Sequence, residues 1–182
     1  MRRRAFLRSC LALLAGLVVP RVVRSEAYLG VGEAQGLLFP GETLRKLTVR
    51  LTAEQKKAVE RASGQRVRKL DLEVWRASGG GWFLVDEVLG KHEYITYAVG
   101  LDPAGSVRGI EVLEYRETYG FEIRRPEWRA QFRGKTAASP LKLDEDVQNI
   151  SGATLSCAHV TDGVRRVLDT FDLVLRTQGD AP

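Results

Sequence analysis

The chain has 182 residues, of which 28 are Lys or Arg and 23 are Asp or Glu, with a formal net charge of +5. Six of the basic residues and none of the acidic residues lie in the first 25 positions, which leaves 22 basic and 23 acidic residues in the remainder. This balance argues against a nucleic-acid-binding protein, and the length is that of one ordinary domain.

Cysteine and histidine are too few for a disulfide framework or a common zinc site. Beyond the first 25 residues, Cys157 is the one remaining cysteine, so no internal disulfide can form there. The two histidines would need several carboxylates grouped with them to bind zinc, and the sequence contains no such group. We therefore expect no metal site.

The first 25 residues have the pattern of an export signal. They combine a basic start with an apolar stretch from Leu11 to Val19, which is shorter than the about 20 residues that span a membrane. Residues 3–7 read RRAFL and fit the twin-arginine pattern RRxFL. We expect cleavage after Ser25 and a periplasmic protein; the alternative is an uncleaved N-terminal anchor.

Residues 26–66 are predicted to form an N-terminal helical extension. Thr52 followed by Gln55 three residues later is a capping box, which predicts the start of a helix. The helix is expected to run to about Ser63 and to end at Gly64, because glycine is common directly after a helix.

Two hairpins are predicted in the segment that follows. A strand at 70–76 and a strand beginning at Trp82 are joined by three glycines, and strands at 94–101 and 107–115 are joined by Asp102-Pro103-Ala104-Gly105. Pro126 favours the first position of a short helix reaching about Phe132. Antiparallel hairpins with helices before and after them predict an α+β fold.

The most informative segment is Ser151-Gly152-Ala153-Thr154, referred to below as the SGAT loop. It precedes apolar residues at helical spacing, which predict an amphipathic helix with one buried face: Val160, Val164, Val167, Leu168, Phe171 and Leu175. Ser156 is a candidate N-cap of this helix. The free amides of the first turn would bind an anion within reach of Thr154.

A Ser-His-Asp triad is not expected on this helix. Ser156, His159 and Asp162 follow each other at three-residue spacing, whereas a triad needs each group to be oriented by a separate element. We therefore predict no catalytic residue.

Three motifs in this order resemble the FMN-binding domain family. They are Glu117-Thr118-Tyr119-Gly120, the stretch 131–135 (QFRGK), and the SGAT loop with Leu155 and Ser156. The resemblance covers roughly residues 91–168, within a predicted domain at 67–178. The family includes the G subunit of Rnf electron-transport complexes and the C subunit of sodium-translocating NADH:quinone oxidoreductase.

The resemblance implies FMN joined to Thr154 by a phosphoester bond, which a flavin transferase of the ApbE type would form. It also implies flavin or transferase contacts by a wider set of residues: Ser151, Gly152, Ala153, Leu155, Ser156, Glu117, Thr118, Gly120 and Lys135. Two positions differ from the family pattern. Gln148 stands where the family usually has Asp, with Asp146 two residues earlier, and Tyr119 replaces a common proline.

The function that follows is an exported flavoprotein that relays electrons between redox proteins, soluble or membrane-bound, and does not act as a stand-alone enzyme. FMN supplies the electron chemistry in such a protein, and the chain supplies its placement. Two alternatives remain open: a non-covalent FMN-binding or sensor module of the same fold, and a secreted domain that binds another phosphorylated ligand.

Overall fold

The computed structural model describes residues 28–178. The predicted export signal at 1–25 therefore lies outside the described residues, and of the predicted extension at 26–66 the structure describes 28–66. In the part of the chain that is described, no helix combines the length and the apolar character needed to cross a membrane.

Five strands and four α-helices form the described part of the chain. The strands are β1 (Leu44–Arg50), β2 (Asp71–Ala77), β3 (Trp82–Leu89), β4 (Tyr94–Leu101) and β5 (Val107–Tyr115). The helices are α1 (Val31–Leu38), α2 (Ala53–Ser63), α3 (Pro126–Ala130) and α4 (Thr154–Thr170). A 3₁₀ turn (Phe121–Arg124) precedes α3, and α4 continues through a π-helical turn (Phe171–Leu175).

The strands form one antiparallel sheet in the order β1-β2-β3-β4-β5, so each strand pairs with its neighbour along the chain. The predicted α+β fold, an antiparallel sheet of hairpins with flanking helices, is confirmed. The second hairpin has the predicted bounds at both strands. The first also forms, although β3 continues to Leu89, beyond the apolar run from Trp82 to Val85.

The sheet has a helix layer on each face. Helices α2 and α4 pack together on one face, where α4 contacts β3 and β4, and the predicted apolar face of α4 is fully buried. Helix α1 covers the other face, where Ala34 and Phe39 pack against Phe83, Ala98 and Leu113. Side chains along β3 and β4 thus point alternately into two hydrophobic cores, one on each face of the sheet.

The capping box of α2 is confirmed. The Thr52 hydroxyl accepts a hydrogen bond from the Gln55 N–H at 3.1 Å, and the Gln55 side chain accepts from the Thr52 N–H at 2.9 Å. Gly64 ends the helix with φ of +68°.

Residues 28–66 contain more than the predicted helix, because α1 and β1 have no counterpart in the sequence prediction. Strand β1 pairs along its whole length with β2, from Leu44 opposite Ala77 to Arg50 opposite Asp71. Three of its seven residues are Arg or Lys. Such charges are usual on an edge strand, and here they weaken the alternation that identifies a strand in sequence.

Candidate functional site

A cleft of about 660 Å³ lies at the beginning of α4. Its walls come from three parts of the chain: Lys91 and His92 between β3 and β4, residues 117–119 after β5, and residues 152–156 of the SGAT loop and α4. This volume is within the range of about 300–1,000 Å³ that is usual for small-molecule sites. Two of the motifs that carried the resemblance therefore form one site.

Glu117 fastens the turn after β5 to the loop before β4. Its Oε1 accepts hydrogen bonds from the backbone N–H groups of His92, at 2.6 Å, and Glu93, at 3.0 Å. Burial acts to raise the pKa of this carboxyl, but the backbone N–H groups of Glu93, His92 and Lys91 outweigh it and hold the pKa below its ordinary value of 4.5. Glu117 is thus an ionised carboxylate that fixes the shape of the cleft wall, while Thr118 is exposed beside it.

Tyr115 connects the two walls of the cleft. Its hydroxyl donates to the Tyr119 carbonyl, and its oxygen lies 2.9 Å from the Ser156 Oγ. Because a phenol has one proton, Ser156 is the donor in this second bond. Burial raises the pKa of Tyr115 above its ordinary value of 10.0, and the bond from Ser156 offsets part of that rise.

Gly120 permits this close arrangement. Its φ is +94°, and a Cβ at this position would lie 2.5 Å from the Tyr115 hydroxyl oxygen and 2.8 Å from the Ser156 Oγ. A side chain would therefore separate the turn from α4. The glycine of the E-T-x-G motif has a packing role as well as a conformational one.

The SGAT loop makes a tight entry into α4. The Ala153 N–H bonds the Ile150 carbonyl at 2.9 Å, Gly152 has φ of +86°, and Ala153 is the N-cap. The first intrahelical bond runs from the Cys157 N–H to the Ala153 carbonyl. Helix geometry leaves the N–H groups of Thr154, Leu155 and Ser156 without intrahelical acceptors, at the positive end of the helix dipole.

The prediction that Ser156 is the N-cap is wrong. The N-cap is Ala153, three residues earlier, and Ser156 lies buried within the first turn of the helix. Its hydroxyl bonds Tyr115 on the neighbouring strand. A pattern along one segment favours a serine cap, whereas the tertiary contact with β5 determines what this hydroxyl does.

Thr154 is exposed in the cleft wall, at the first position of α4. Its Oγ1 accepts a hydrogen bond from the Asn149 Nδ2 at 3.2 Å. The residue before Asn149, Gln148, is held by α3: its N–H bonds the Gln131 Oε1 at 2.7 Å, and its carbonyl accepts from the Trp128 Nε1 at 2.9 Å. The first residue of the QFRGK stretch therefore supports the SGAT loop from behind.

Lys135 does not line the cleft. Its ammonium pairs with the Asp146 carboxylate at 2.7 Å, and Asp146 also accepts from the N–H groups of Leu141, at 3.2 Å, and Lys142, at 2.7 Å. Burial acts to raise the pKa of Asp146, but Lys135 and these N–H groups together lower it. The pair orders residues 141–147, which lie before the SGAT loop.

Cys157, beside the cleft, is a buried structural residue. Its side chain is fully enclosed, and burial raises the pKa of its thiol. The thiolate is the reactive form of cysteine, so both features argue against redox chemistry at this position.

Sequence reasoning did not identify Lys91, His92 and Asn149 as residues of the site. His92 lies in the loop between β3 and β4 and lines the cleft. Its approach to Glu117 depends on strand pairing across 25 residues and leaves no local signal. Asn149 lies five residues before Thr154, and this closeness along the sequence was the available signal.

The cleft fits FMN in its volume and in the groups that line it. The free amides at the beginning of α4 suit a phosphate next to Thr154, and Lys91 adds a cation to the cleft lining. Tyr119 is 80% exposed and Leu155 is 48% exposed, so both offer apolar surface to an aromatic ring system. Tyr119 therefore lines the cleft and is not a core residue.

Known proteins support the same assignment. The model of the FMN-binding domain matches residues 90–169. The C subunit of the Na(+)-translocating NADH-quinone reductase of Vibrio anguillarum is 31% identical over 162 residues, covering 74% of this chain and 56% of that protein. The chain thus spans little more than half the length of this relative. The matched segment includes β4, β5, α3 and nearly all of α4, together with every wall of the cleft, and its cofactor is FMN. The chain therefore belongs to the FMN-binding domain family.

Proposed function

We propose that this protein is an exported electron-transfer flavoprotein that carries FMN on Thr154 through a phosphoester bond. A flavin transferase of the ApbE type would attach the cofactor, and redox proteins, soluble or membrane-bound, would donate and accept the electrons. The observation that carries the proposal is the exposed Thr154 hydroxyl, which lies in the cleft at the end of α4 where helix amides are free.

The surroundings of Thr154 support a covalent link in two ways. A threonine hydroxyl needs activation before it can attack phosphorus, and no His, Lys or Asp side chain hydrogen bonds Thr154 among the described residues, which agrees with an external transferase. After transfer, the amides of Leu155 and Ser156 would bind the phosphate oxygens and hold the ester in place.

The remaining cleft residues would place and tune the flavin. The exposed Tyr119 ring and the exposed Leu155 side chain would cover part of the flavin surface. The ionised Glu117 would hold residues 117–120 in place. FMN supplies the electron chemistry when it is bound. Redox partners must therefore come close to it, and they would approach from the open side of the cleft. A relative named as a subunit of an NADH-quinone reductase is consistent with such partners.

Intact-mass measurement after co-expression with a flavin transferase tests the covalent link. The wild-type chain should gain the mass of one FMN less one water, and Thr154→Ala should gain nothing. Thr118→Ala is the matched control within the cleft, because it removes an exposed hydroxyl that is not the proposed attachment point. A yellow protein without added mass would instead indicate non-covalent binding.

Export is proposed from the sequence of residues 1–25. Replacement of both Arg3 and Arg4 by Lys should keep the flavoprotein in the cytoplasm, because the twin-arginine pair is what the pathway recognises. Cell fractionation with immunodetection measures the distribution. Periplasmic accumulation of the double variant at the wild-type level would contradict a twin-arginine route.

A further inference from the structure

Asn149 is the side chain that hydrogen bonds the Thr154 hydroxyl among the described residues. Its Nδ2 donates to Thr154 Oγ1 at 3.2 Å, while its Oδ1 is buried without a hydrogen-bond partner. A buried amide oxygen without a partner is uncommon in folded proteins and needs an explanation. The placement of Asn149 therefore calls for an explanation beyond folding.

The backbone around Asn149 is fixed on both sides. Gln148 is bonded through its N–H to Gln131 and through its carbonyl to Trp128, and the Ile150 carbonyl accepts from the Ala153 N–H. Asn149 also lines a groove of about 470 Å³ between α3 and residues 148–150. It is thus both a residue of this groove and the hydrogen-bond donor to Thr154.

Neither Gln148 nor Asp146 hydrogen bonds Thr154. Gln148 occupies the position where the family usually has Asp, and its side chain is exposed in the groove. The Asp146 carboxylate is engaged by Lys135 and two backbone N–H groups. Among the described residues, Asn149 is therefore the side chain placed to orient the hydroxyl.

We infer that Asn149 is a positioning residue for FMN attachment, an inference that rests on the proposed function. In the transfer, Thr154 Oγ1 forms a bond to the FMN phosphorus of flavin adenine dinucleotide, and the phosphoanhydride bond to the adenylate breaks. The hydroxyl proton passes to a base of the transferase, and adenosine monophosphate leaves. Asn149 Nδ2–H holds the oxygen in one orientation and stabilises the negative charge that develops on it.

Initial rates of attachment test this role. The purified full-length chain without flavin is incubated with flavin transferase and flavin adenine dinucleotide, and mass spectrometry follows the modified fraction at several chain concentrations. Asn149→Ala should lower kcat by about tenfold or more and leave the KM for the chain unchanged, as expected when a donor acts on the transition state. Gln148→Ala, which alters the same groove, should leave both constants at the wild-type values.

Asn149→Asp separates donation from proton acceptance. A carboxylate cannot donate to Oγ1, so this variant should be as slow as Asn149→Ala; a rate equal to or above wild type would overturn the donor role. Wild-type kcat for Asn149→Ala, or an effect confined to KM, would also overturn the inference. Circular dichroism and thermal unfolding establish that each variant is folded before its rate is compared.

The same assay separates failure of this inference from failure of the proposed function. If the wild-type chain gains no FMN, or if Thr154→Ala gains it, the covalent proposal fails and the role of Asn149 fails with it. If wild type is modified at Thr154 and the Asn149 variants react normally, the role of Asn149 alone is overturned.

Discussion

Gly120 and Gly152 both have positive φ, +94° and +86°, but their surroundings differ. A Cβ at Gly152 would meet no atom within 4 Å, whereas one at Gly120 would collide with the hydroxyls of Tyr115 and Ser156. The two positions therefore separate the cost of backbone conformation from the cost of a steric clash. Both costs act on the walls of the cleft at the beginning of α4.

Gly152→Ala should lower the free energy of unfolding by about 1–2 kcal/mol, the usual cost of a left-handed conformation for a residue with a Cβ. Gly120→Ala should cost about 1–3 kcal/mol more, because the Tyr115–Ser156 bond must also break or shift. Urea unfolding of the two variants provides the comparison. Equal losses would show that the clash at Gly120 is relieved without cost.

Glu117 makes the stability of the cleft depend on pH. Its pKa is below 4.5 in the folded protein, so it stabilises the fold above the pKa of the unfolded chain. That contribution disappears as the pH falls through the lower pKa of the folded state. Wild type should therefore exceed Glu117→Gln in stability at neutral pH, and the difference should shrink from roughly pH 5 downward.

Chemical unfolding of wild type and Glu117→Gln at several pH values measures this difference. Glu73→Gln on strand β2 is a suitable control, because its carboxylate pairs with Lys46 at the surface and an exposed pair contributes little to stability. A difference between wild type and Glu117→Gln that does not change with pH would contradict the assignment of this carboxylate.

At the scale of elements, the SGAT loop depends on α3 as well as on α4. Helix α3 has only five residues, yet Trp128 is buried and both Trp128 and Gln131 bond the Gln148 backbone. The short helix thus supports the segment that leads into the SGAT loop. Through Gln131, this connection joins the QFRGK stretch to the segment before the SGAT loop.

Gln131→Ala should loosen this connection. The Gln148 amide should exchange its hydrogen about fivefold faster, since one hydrogen bond contributes on the order of 1 kcal/mol. Hydrogen exchange followed by NMR measures this amide directly. Arg133→Ala, an exposed residue just after α3, should leave its exchange unchanged. An unaltered rate in Gln131→Ala would show that Trp128 alone holds the segment.

At the scale of the whole molecule, a buried charged network joins α4 to the sheet. Arg166 on α4 donates to Asp86 on β3 at 2.7 Å and to backbone carbonyls of Arg66 and Glu87, and the Tyr97 hydroxyl donates to Asp86 at 3.0 Å. The Arg166 side chain is only 9% exposed. The helix that carries Thr154 is therefore fixed to β3 and β4 far from the cleft.

Asp86→Ala should destabilise the protein by about 3 kcal/mol, because it leaves the Arg166 charge buried without its partner. Asp71→Ala removes the partner of Arg50 in an exposed pair and should cost only about 0–1 kcal/mol. Denaturant unfolding of both variants tests the contrast. Equal effects would show that water reaches Arg166 and replaces the carboxylate.

The local sequence determined the elements whose signals lie within a few residues. The α2 capping box, the turn at Asp102–Gly105 and the spacing of apolar residues on α4 each act over one or two turns of chain, so pattern alone predicted them. Strand β1 was not predicted, because the charged side chains of this edge strand weaken the alternation of apolar and polar residues. Its partner β2 lies more than 20 residues away, so the pairing leaves no local signal.

The motif order by itself also determined the family and the cofactor. Only the tertiary structure decided which motif residues share the cleft, because Glu117 and the SGAT loop meet through strand pairing and the Tyr115–Ser156 bond. Only the tertiary structure likewise showed that Ser156, the predicted cap, bonds Tyr115. It also showed that Lys135 pairs with Asp146 and that Asn149 hydrogen bonds the Thr154 hydroxyl. Such contacts depend on distances between separate elements, which a pattern along the chain does not contain.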